Sequence, residues 1–169
     1  KLYSLVYCMK NGVKKNPIIA LAQIRYFDSS KKHNVEKIKK YIRFAKSKNA
    51  DIICFPEACI HKSKTLHFNH HLLHEIREEC RKNSIWCILT ENIILRDKPY
   101  NLSILIDREG KVKGNYKKIH LYGDGEKLNA GRKTKVFQTD FAKIGIGICW
   151  DLAFPELFKK MRDAGAEII

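Results

Sequence analysis

Short apolar runs of strand length alternate with segments of helical spacing in the first half of the chain. The runs at 18–24 (IIALAQI) and 50–55 (ADIICF) predict two buried strands. Between them, the segment 34–50 places apolar residues on one face and lysines on the other, which predicts an amphipathic helix. The segment 71–84 repeats that spacing and predicts a second helix. The alternation therefore favours an α/β fold.

The second half of the sequence changes to strands joined by hairpins. Five further strands are predicted, over 85–95, 101–107, 111–116, 134–139 and 142–149. The sequence DREG at 107–110 has the composition of a turn between two of them. A helix over 154–164 and an apolar strand over 166–169 follow at the end. Together the segments predict a mixed sheet with helices packed against it.

The sequence shows no repeat, linker or low-complexity block that would divide it. Its 169 residues are enough for one domain with a buried core. We therefore expect an N-terminal extension over 1–16 and one domain over 17–169. The apolar strand that ends at Ile169 would need a partner inside a sheet, so we expect the folded unit to be incomplete here, or completed by other residues.

The net charge of +15 raises the question of nucleic-acid binding. Lysines and arginines are scattered over different predicted elements, and aromatic residues are not interleaved with them as a stacking platform. A solvated lysine-rich surface is therefore the favoured interpretation, and binding that weakens steeply with salt would contradict it. No apolar run has the length of a membrane span, so no membrane association is expected.

The cysteines lack the spacing of a disulfide framework, and the histidines have a helical spacing that could hold a metal on one face but no convincing further ligand. Six cysteines occur at positions 8, 54, 59, 80, 87 and 149, and none forms a C-x-x-C pair. Reduced thiols in a cytoplasmic protein are therefore expected. Histidines at helical spacing occur at His67, His70, His71 and His74. No acid or cysteine stands convincingly beside them, which favours a polar helix face over a metal site.

Reactive side chains stand where three predicted strands end. The strand at 50–55 is followed by Glu57, the strand at 111–116 by Lys118 and His120, and the last long strand ends at Cys149. In open α/β sheets, ligands bind outside the carboxyl ends of the strands. Residues from distant parts of this sequence are therefore expected to converge there.

Glu57, Lys118 and Cys149 together have the chemistry of an acyl-transfer site. A thiol with an ordinary pKa of about 8.5 is mostly protonated at neutral pH, so it needs a base such as a carboxylate. A nearby ammonium stabilises the thiolate and the oxyanion of a tetrahedral intermediate. The residues alone leave alternatives open: a surface lysine, a packed core thiol, or a dyad of Cys149 with His120.

Three segments resemble the signature segments of the nitrilase superfamily, the carbon–nitrogen hydrolases, in their usual order: ADIICFPEA, GNYKKIHLYGDGEKLNAG and IGIGICWDLAFPEL. The stretch YNLSILIDREGKV is similar to the hairpin that precedes the lysine segment in that family. The resemblance runs from about Ile18 to Ile169. It implies a four-layer α-β-β-α sandwich with mixed sheets, of which 17–169 would be the N-terminal part.

The resemblance also implies the roles of the three candidate residues. Carried over, Glu57 is the general base, Lys118 the oxyanion stabiliser and Cys149 the nucleophile. Lys118 matches rather than Lys117, because the family lysine stands two residues before the histidine of the K-x-H-L pattern, here His120. In this interpretation His120 has a structural role near the lysine.

Two further residues match substrate-binding positions of the family. Glu126 matches a second acid that helps to position the lysine and the leaving nitrogen, and the backbone N–H of Trp150 matches an oxyanion-hole donor. The implied reaction hydrolyses a small amide to a carboxylic acid and ammonia through a thioester, without a metal or organic cofactor. Family members commonly form dimers, so a homodimer or a larger homo-oligomer is expected.

The sequence departs from the family pattern close to the candidate nucleophile. Ala153 stands where many amidase branches have an arginine, a change that bears on loop geometry and substrate. The sequence CWD at 149–151 lies between the CWE of nitrilases and the CYD of many amidases, and we favour amides over nitriles. The alternatives are nitrile hydrolysis and a catalytically silent assembly partner.

Overall fold

The computed structural model describes residues 2–3, 16–24, 30–61, 65–123 and 127–169. The strands are β1 Leu2–Tyr3, β2 Ile19–Ala22, β3 Ile52–Cys54, β4 Leu66–His67, β5 Trp86–Leu95, β6 Lys98–Ile106, β7 Val112–Lys117, β8 Val136–Gln138 and β9 Lys143–Gly145. The helices are α1 Lys31–Ser47, α2 His71–Asn83 and α3 Pro155–Asp163, and a short 3₁₀ helix spans Cys149–Ala153.

The main sheet is mixed, as the alternation of helices and hairpins predicted. Its strand order is β1-β2-β3-β5-β6-β7, with β4 beside β5. Strands β2, β3 and β5 are parallel, and α1 and α2 supply the crossover connections between them. Strands β5, β6 and β7 are antiparallel neighbours, and β8 pairs with β9 in a second, two-stranded sheet.

Both long helices begin at capped positions. Ser30 accepts a hydrogen bond from the His33 N–H, and this cap explains why α1 begins before the predicted start at 34. His70 Nδ1 accepts from the Leu72 N–H at the start of α2, and Ser84 ends that helix in the left-handed conformation. No helix in the described part of the protein is long and apolar enough to span a membrane.

Two apolar cores lie on opposite faces of the main sheet. The first joins the sheet to α1 and α2 and includes Ile38, Ile53, Ile76 and Leu89. The second joins the sheet to β8, β9 and α3 and includes Trp86, Leu105, Ile144 and Met161. The layers therefore follow the order helix, sheet, sheet, helix. The carboxyl ends of β3, β7 and β9 lead into the candidate site.

Two local predictions were wrong in detail, and one turn was not located. In the predicted strand 142–149, only Lys143–Gly145 pairs in a ladder, and Cys149 begins the 3₁₀ helix. The predicted strand 166–169 is a single bridge between Ile168 and Ile144, because the two segments run alongside each other at only one residue pair. The antiparallel pairing of β5 with β6 agrees with the prediction of strands joined by hairpins, but the turn between them was not located. This two-residue turn has positive φ at Arg96 and Asp97, without the Asn-Gly sequence that usually marks such turns.

Candidate active site

The structure brings Glu57, Lys118 and Cys149 together at the strand ends. Lys118 Nζ lies 3.6 Å from Glu57 Oε1. The Cys149 thiol is hydrogen-bonded to Glu57 and interacts electrostatically with Lys118. A thiol, a carboxylate and an ammonium therefore meet in one place, although the three residues are far apart in the sequence.

The Glu57 carboxylate is held by an asparagine of β6. Asn101, which is 3% exposed, donates a hydrogen bond from Nδ2 to Glu57 Oε1. The backbone carbonyl oxygen of Asn101 accepts from the Lys118 N–H at 2.9 Å. One residue therefore contacts both Glu57 and the segment that carries Lys118. The Glu57 side chain remains 31% exposed, which leaves its carboxylate open to a substrate.

Lys118 is almost completely buried, with a side chain that is 1% exposed. A buried ammonium is costly unless a charge compensates it, and Glu57 supplies that charge. The backbone that carries the lysine is tightly packed, since its carbonyl oxygen accepts from the Gly131 N–H at 2.7 Å. A Cβ at Gly131 would lie 2.3 Å from the Lys117 carbonyl oxygen, so only glycine fits this approach.

Cys149 is the exposed thiol among the described cysteines, the others being buried or half-buried. Its φ of 48° lies in the left-handed region, which is strained for a residue with a side chain. Burial of the thiol and the negative charge of Glu57 raise its pKa above the ordinary value, while Lys118 and the Trp150 backbone N–H oppose that rise. The resting site therefore holds a protonated thiol beside a carboxylate.

Asp151 ties the segment of the nucleophile to the segment of the lysine. It is fully buried and accepts hydrogen bonds from the Tyr116 hydroxyl at 2.8 Å and from the Ile148 N–H at 3.0 Å. It also accepts from the backbone N–H and from Nδ1 of His120, both at 2.9 Å. The His120 ring stacks on Phe154 at 3.6 Å. This network fixes the backbone on both sides of the candidate site.

With this geometry in place, residues 18–169 match the family model described as Carbon-nitrogen hydrolase. The chain belongs to the carbon-nitrogen hydrolase family. It is 28% identical over 178 residues to the deaminated glutathione amidase of Yersinia enterocolitica, covering 92% of this chain and 62% of that protein. It is 30% identical over 169 residues to the citrullinase of Francisella tularensis, covering 89% of this chain and 59% of that protein.

Solved structures of this family show the same fold. Nit3 of Saccharomyces cerevisiae, a nitrilase-superfamily member, superimposes with a TM-score of 0.76 at 24% identity, covering 88% of this chain and 60% of the Nit3 structure. An amidase from Nesterenkonia sp. superimposes with a TM-score of 0.76 at 20% identity, covering 88% and 61%. The chain spans about three fifths of the length of the relatives that it matches. The predicted nitrilase-type α/β fold is confirmed.

The backbone N–H of Trp150 lies beside the Cys149 thiol, whereas the rings of His120 and Trp150 make contacts elsewhere. His120 is engaged by Asp151 rather than by Cys149, which argues against a cysteine–histidine dyad. The Trp150 ring is 42% exposed and contacts Tyr122 edge to face at 5.1 Å, so it lies at the surface rather than in the core. Glu126 lies outside the described residues.

Of the four histidines at 67–74, His67 lies on β4, His70 precedes α2, and His71 and His74 lie on α2, so they do not share one helix face. The rings of His70 and His71 stack at 4.5 Å, and His70 also caps α2. Across the described ranges, no group of three or more histidine, cysteine or acidic side chains could hold a metal ion.

Sequence reasoning missed Asn101 and Asp151 as site residues. Both are polar residues that are buried in the fold. The signal in the sequence was a polar residue inside an apolar run, as Asn101 is in NLSILI, or shortly after an apolar run, as Asp151 is after GIGIC. Buried polar groups need hydrogen-bond partners, so such positions indicate a network. The partners themselves lie elsewhere in the sequence, and no local pattern reveals them.

Proposed function

We propose that this protein contains the catalytic centre of an amide hydrolase that works through a cysteine thioester. The observation that carries the proposal is the cluster of an exposed thiol, a carboxylate and a buried ammonium, with Glu57 in contact with both Cys149 and Lys118. Two relatives that match most of its length, a deaminated glutathione amidase and a citrullinase, support the assignment to carbon–nitrogen bond hydrolysis.

In the first step, Cys149 attacks the amide carbon while Glu57 removes the thiol proton. The raised pKa of Cys149 means that the proton leaves as attack occurs, because the resting thiol holds it. A carbon–sulfur bond forms and the carbonyl π electrons move to the oxygen. Lys118 and the Trp150 N–H stabilise that oxyanion by hydrogen bonding, which gains strength from the burial of the lysine.

In the second step, the tetrahedral intermediate collapses to a thioester. The carbon–oxygen double bond re-forms, the carbon–nitrogen bond breaks, and the nitrogen takes the proton that Glu57 holds. Ammonia leaves, and Glu57 is again a carboxylate. That carboxylate then removes a proton from water, which attacks the thioester carbon. The tetrahedral intermediate then re-forms its carbon–oxygen double bond as the carbon–sulfur bond breaks, the carboxylic acid leaves, and the thiolate of Cys149 recovers its proton from Glu57.

The proposal has four further parts. Glu126 acts as a second acid, and the reaction needs no metal. The protein associates with itself and is located in the cytoplasm. The five described cysteines are free, which supports a reducing compartment such as the cytoplasm. The resemblance of the segment GNYKKIHLYGDGEKLNAG to the lysine segment of the family supports Glu126 as a second acid, and membership of the family supports a homodimer or larger homo-oligomer. Sedimentation velocity at several protein concentrations measures the association, and a sedimentation coefficient of the monomer throughout would contradict it.

Ammonia release from a panel of small amides, with matched nitriles, tests the function. We expect release from at least one amide by the wild-type protein and none by Cys149→Ala. Cys80→Ala is the matched control, because it removes a buried thiol of α2 and should leave the rate unchanged. Equal release by Cys149→Ala would contradict the mechanism. Release from nitriles alone would support the nitrilase alternative, and no release from any compound would support a silent partner.

A further inference from the structure

Glu91 is a fully buried acid on β5 that the proposed reaction does not use. Its Oε2 accepts hydrogen bonds from the Ile60 N–H at 2.7 Å and the His61 N–H at 2.9 Å. Its Oε1 accepts from the Asn92 N–H at 2.9 Å. Acids are rarely buried without a compensating partner, and here three backbone donors converge on one carboxylate. Among the described residues it forms no ion pair with a basic side chain.

Two of these donors belong to the segment 57–61, which we call the base loop because it begins with Glu57. The loop turns sharply after the base, since Ala58 has a φ of 54° in the left-handed region. On its other side, Asn34 of α1 donates from Nδ2 to the Ile60 carbonyl oxygen at 3.0 Å. A left-handed alanine is strained, so contacts elsewhere must hold this conformation. Ile60 is held through both its N–H and its C=O.

We propose that Glu91 is a positioning residue whose carboxylate, by binding the Ile60 and His61 N–H groups, holds the base loop so that Glu57 reaches the Cys149 thiol. The inference rests on the proposed function, because it concerns the same base and nucleophile. Glu91 acts through the loop and not on the substrate, since its side chain is 0% exposed.

The ionised form of Glu91 is the one that fits its three donors. A carboxylate accepts at both oxygens, whereas a protonated carboxyl or an amide presents a hydrogen donor among other donors. Burial raises the pKa of Glu91 to about 7, the three backbone N–H groups oppose that rise, and the charge of Glu57 adds to it. The hold on the base loop should therefore strengthen as the pH rises through about 7.

Within the described ranges, few titratable groups surround this carboxylate. Glu57 and Cys59 of the base loop interact with it electrostatically, and His61 adds a titratable ring to the same loop. The other elements packed there present uncharged residues, Asn34 on α1 and Leu102 opposite it on β6. The neutral thiol of Cys59 stays protonated, because burial raises its pKa well above the ordinary value.

Glu91→Gln tests the proposal through the reactivity of Cys149 toward iodoacetamide, followed by peptide mass spectrometry from pH 6 to 9. Glutamine has nearly the shape of the protonated acid. We expect wild type to be alkylated about tenfold faster than the variant above pH 7, because a small misplacement of a base has an effect of at least that size. Below pH 7 the two rates should converge, since both side chains are then uncharged. Glu79→Gln is the matched control, because it removes a buried carboxylate of α2. In this variant Cys149 should be alkylated at the wild-type rate at every pH.

Equal rates of Cys149 alkylation in wild type and Glu91→Gln at every pH would overturn the proposal. A ratio of these two rates that stays constant with pH would also overturn it, because an effect of the substitution on packing does not depend on pH. Hydrogen exchange of the Ile60 and His61 amides in the wild-type protein gives a measurement that needs no variant. Their protection, corrected for intrinsic exchange, should rise as the pH passes through 7, and constant protection would refute the role of Glu91. Cys149 could react no faster than the other thiols while the protection of the Ile60 and His61 amides still changes with pH. That result would contradict the proposed function and support the role of Glu91 in holding the base loop.

Discussion

Replacement of Asp151 by asparagine is the sharpest test of how this site is assembled. The substitution keeps the size of the side chain and removes one acceptor and the charge. In the structure, one carboxylate oxygen accepts from the backbone N–H and from Nδ1 of His120. The other oxygen accepts from the Tyr116 hydroxyl and from the Ile148 N–H. An asparagine that keeps the first pair turns its NH₂ group toward the second pair.

The cost follows from the donors that lose their acceptor. The Tyr116 hydroxyl can rotate to accept, but the Ile148 N–H is left buried and unpaired, which costs about 1–3 kcal/mol. The remaining hydrogen bonds lose their charge assistance, at about 1 kcal/mol each. Removal of the buried charge of Asp151 offsets part of this loss of stability, because the desolvation cost of that charge disappears. We expect a net loss of about 3 kcal/mol in the free energy of unfolding.

Urea unfolding at pH 7, followed by circular dichroism, measures this loss, and alkylation of Cys149 measures the effect on the site. Asp163→Asn is the matched control, because Asp163 forms an exposed pair with Arg162 and should change stability by less than about 0.5 kcal/mol. We also expect Cys149 of Asp151→Asn to be alkylated several-fold more slowly, since Ile148 directly precedes Cys149. A loss below about 1 kcal/mol together with unchanged alkylation would refute the argument.

Three further predictions concern the base, the lysine segment and pH. Asn101→Ala removes the donor to Glu57 and should slow Cys149 alkylation about tenfold, while circular dichroism shows an intact fold; an unchanged rate would contradict this role. Gly131→Ala places a Cβ against the Lys117 carbonyl oxygen and should destabilise the protein by more than about 2 kcal/mol in urea unfolding, which a wild-type midpoint would disprove. The folded pKa of Glu91, about 7, lies above its unfolded value of 4.5, so its contribution to stability is full below pH 4.5 and is lost as the pH rises through 7. Wild type should therefore lose about 3 kcal/mol more than Glu91→Gln between pH 4.5 and 8, and parallel pH profiles would show that Glu91 does not titrate in this range.

Local sequence patterns predicted most of the elements of the fold. The apolar periodicity of 34–50 and 71–84 located both long helices, and the DREG turn at 107–110 correctly joined β6 to β7, with a hydrogen bond from the Gly110 N–H to the Asp107 carbonyl oxygen. The turn at Arg96 and Asp97 escaped prediction because neither residue type favours a positive φ strongly enough to mark it. The pairing of strands also depends on partners that are distant in the sequence, which periodicity does not identify.

The sequence by itself determined which reactive groups stand at strand ends: Glu57, Lys118 and Cys149. Glu57 and Cys149 follow apolar runs that have to be buried, and Lys118 follows a predicted hairpin strand, so their positions near the edge of the sheet follow from the hydrophobic effect and strand geometry. The 3₁₀ helix that begins at Cys149 does not follow from these patterns. Only the tertiary structure decided how these groups are held. Asn101, Asp151 and Glu91 are recognised by the donors and acceptors that they meet, and those partners are brought to them by strands and loops from elsewhere in the fold. Buried polar groups are satisfied across long sequence separations, so their roles depend on geometry that no local pattern contains.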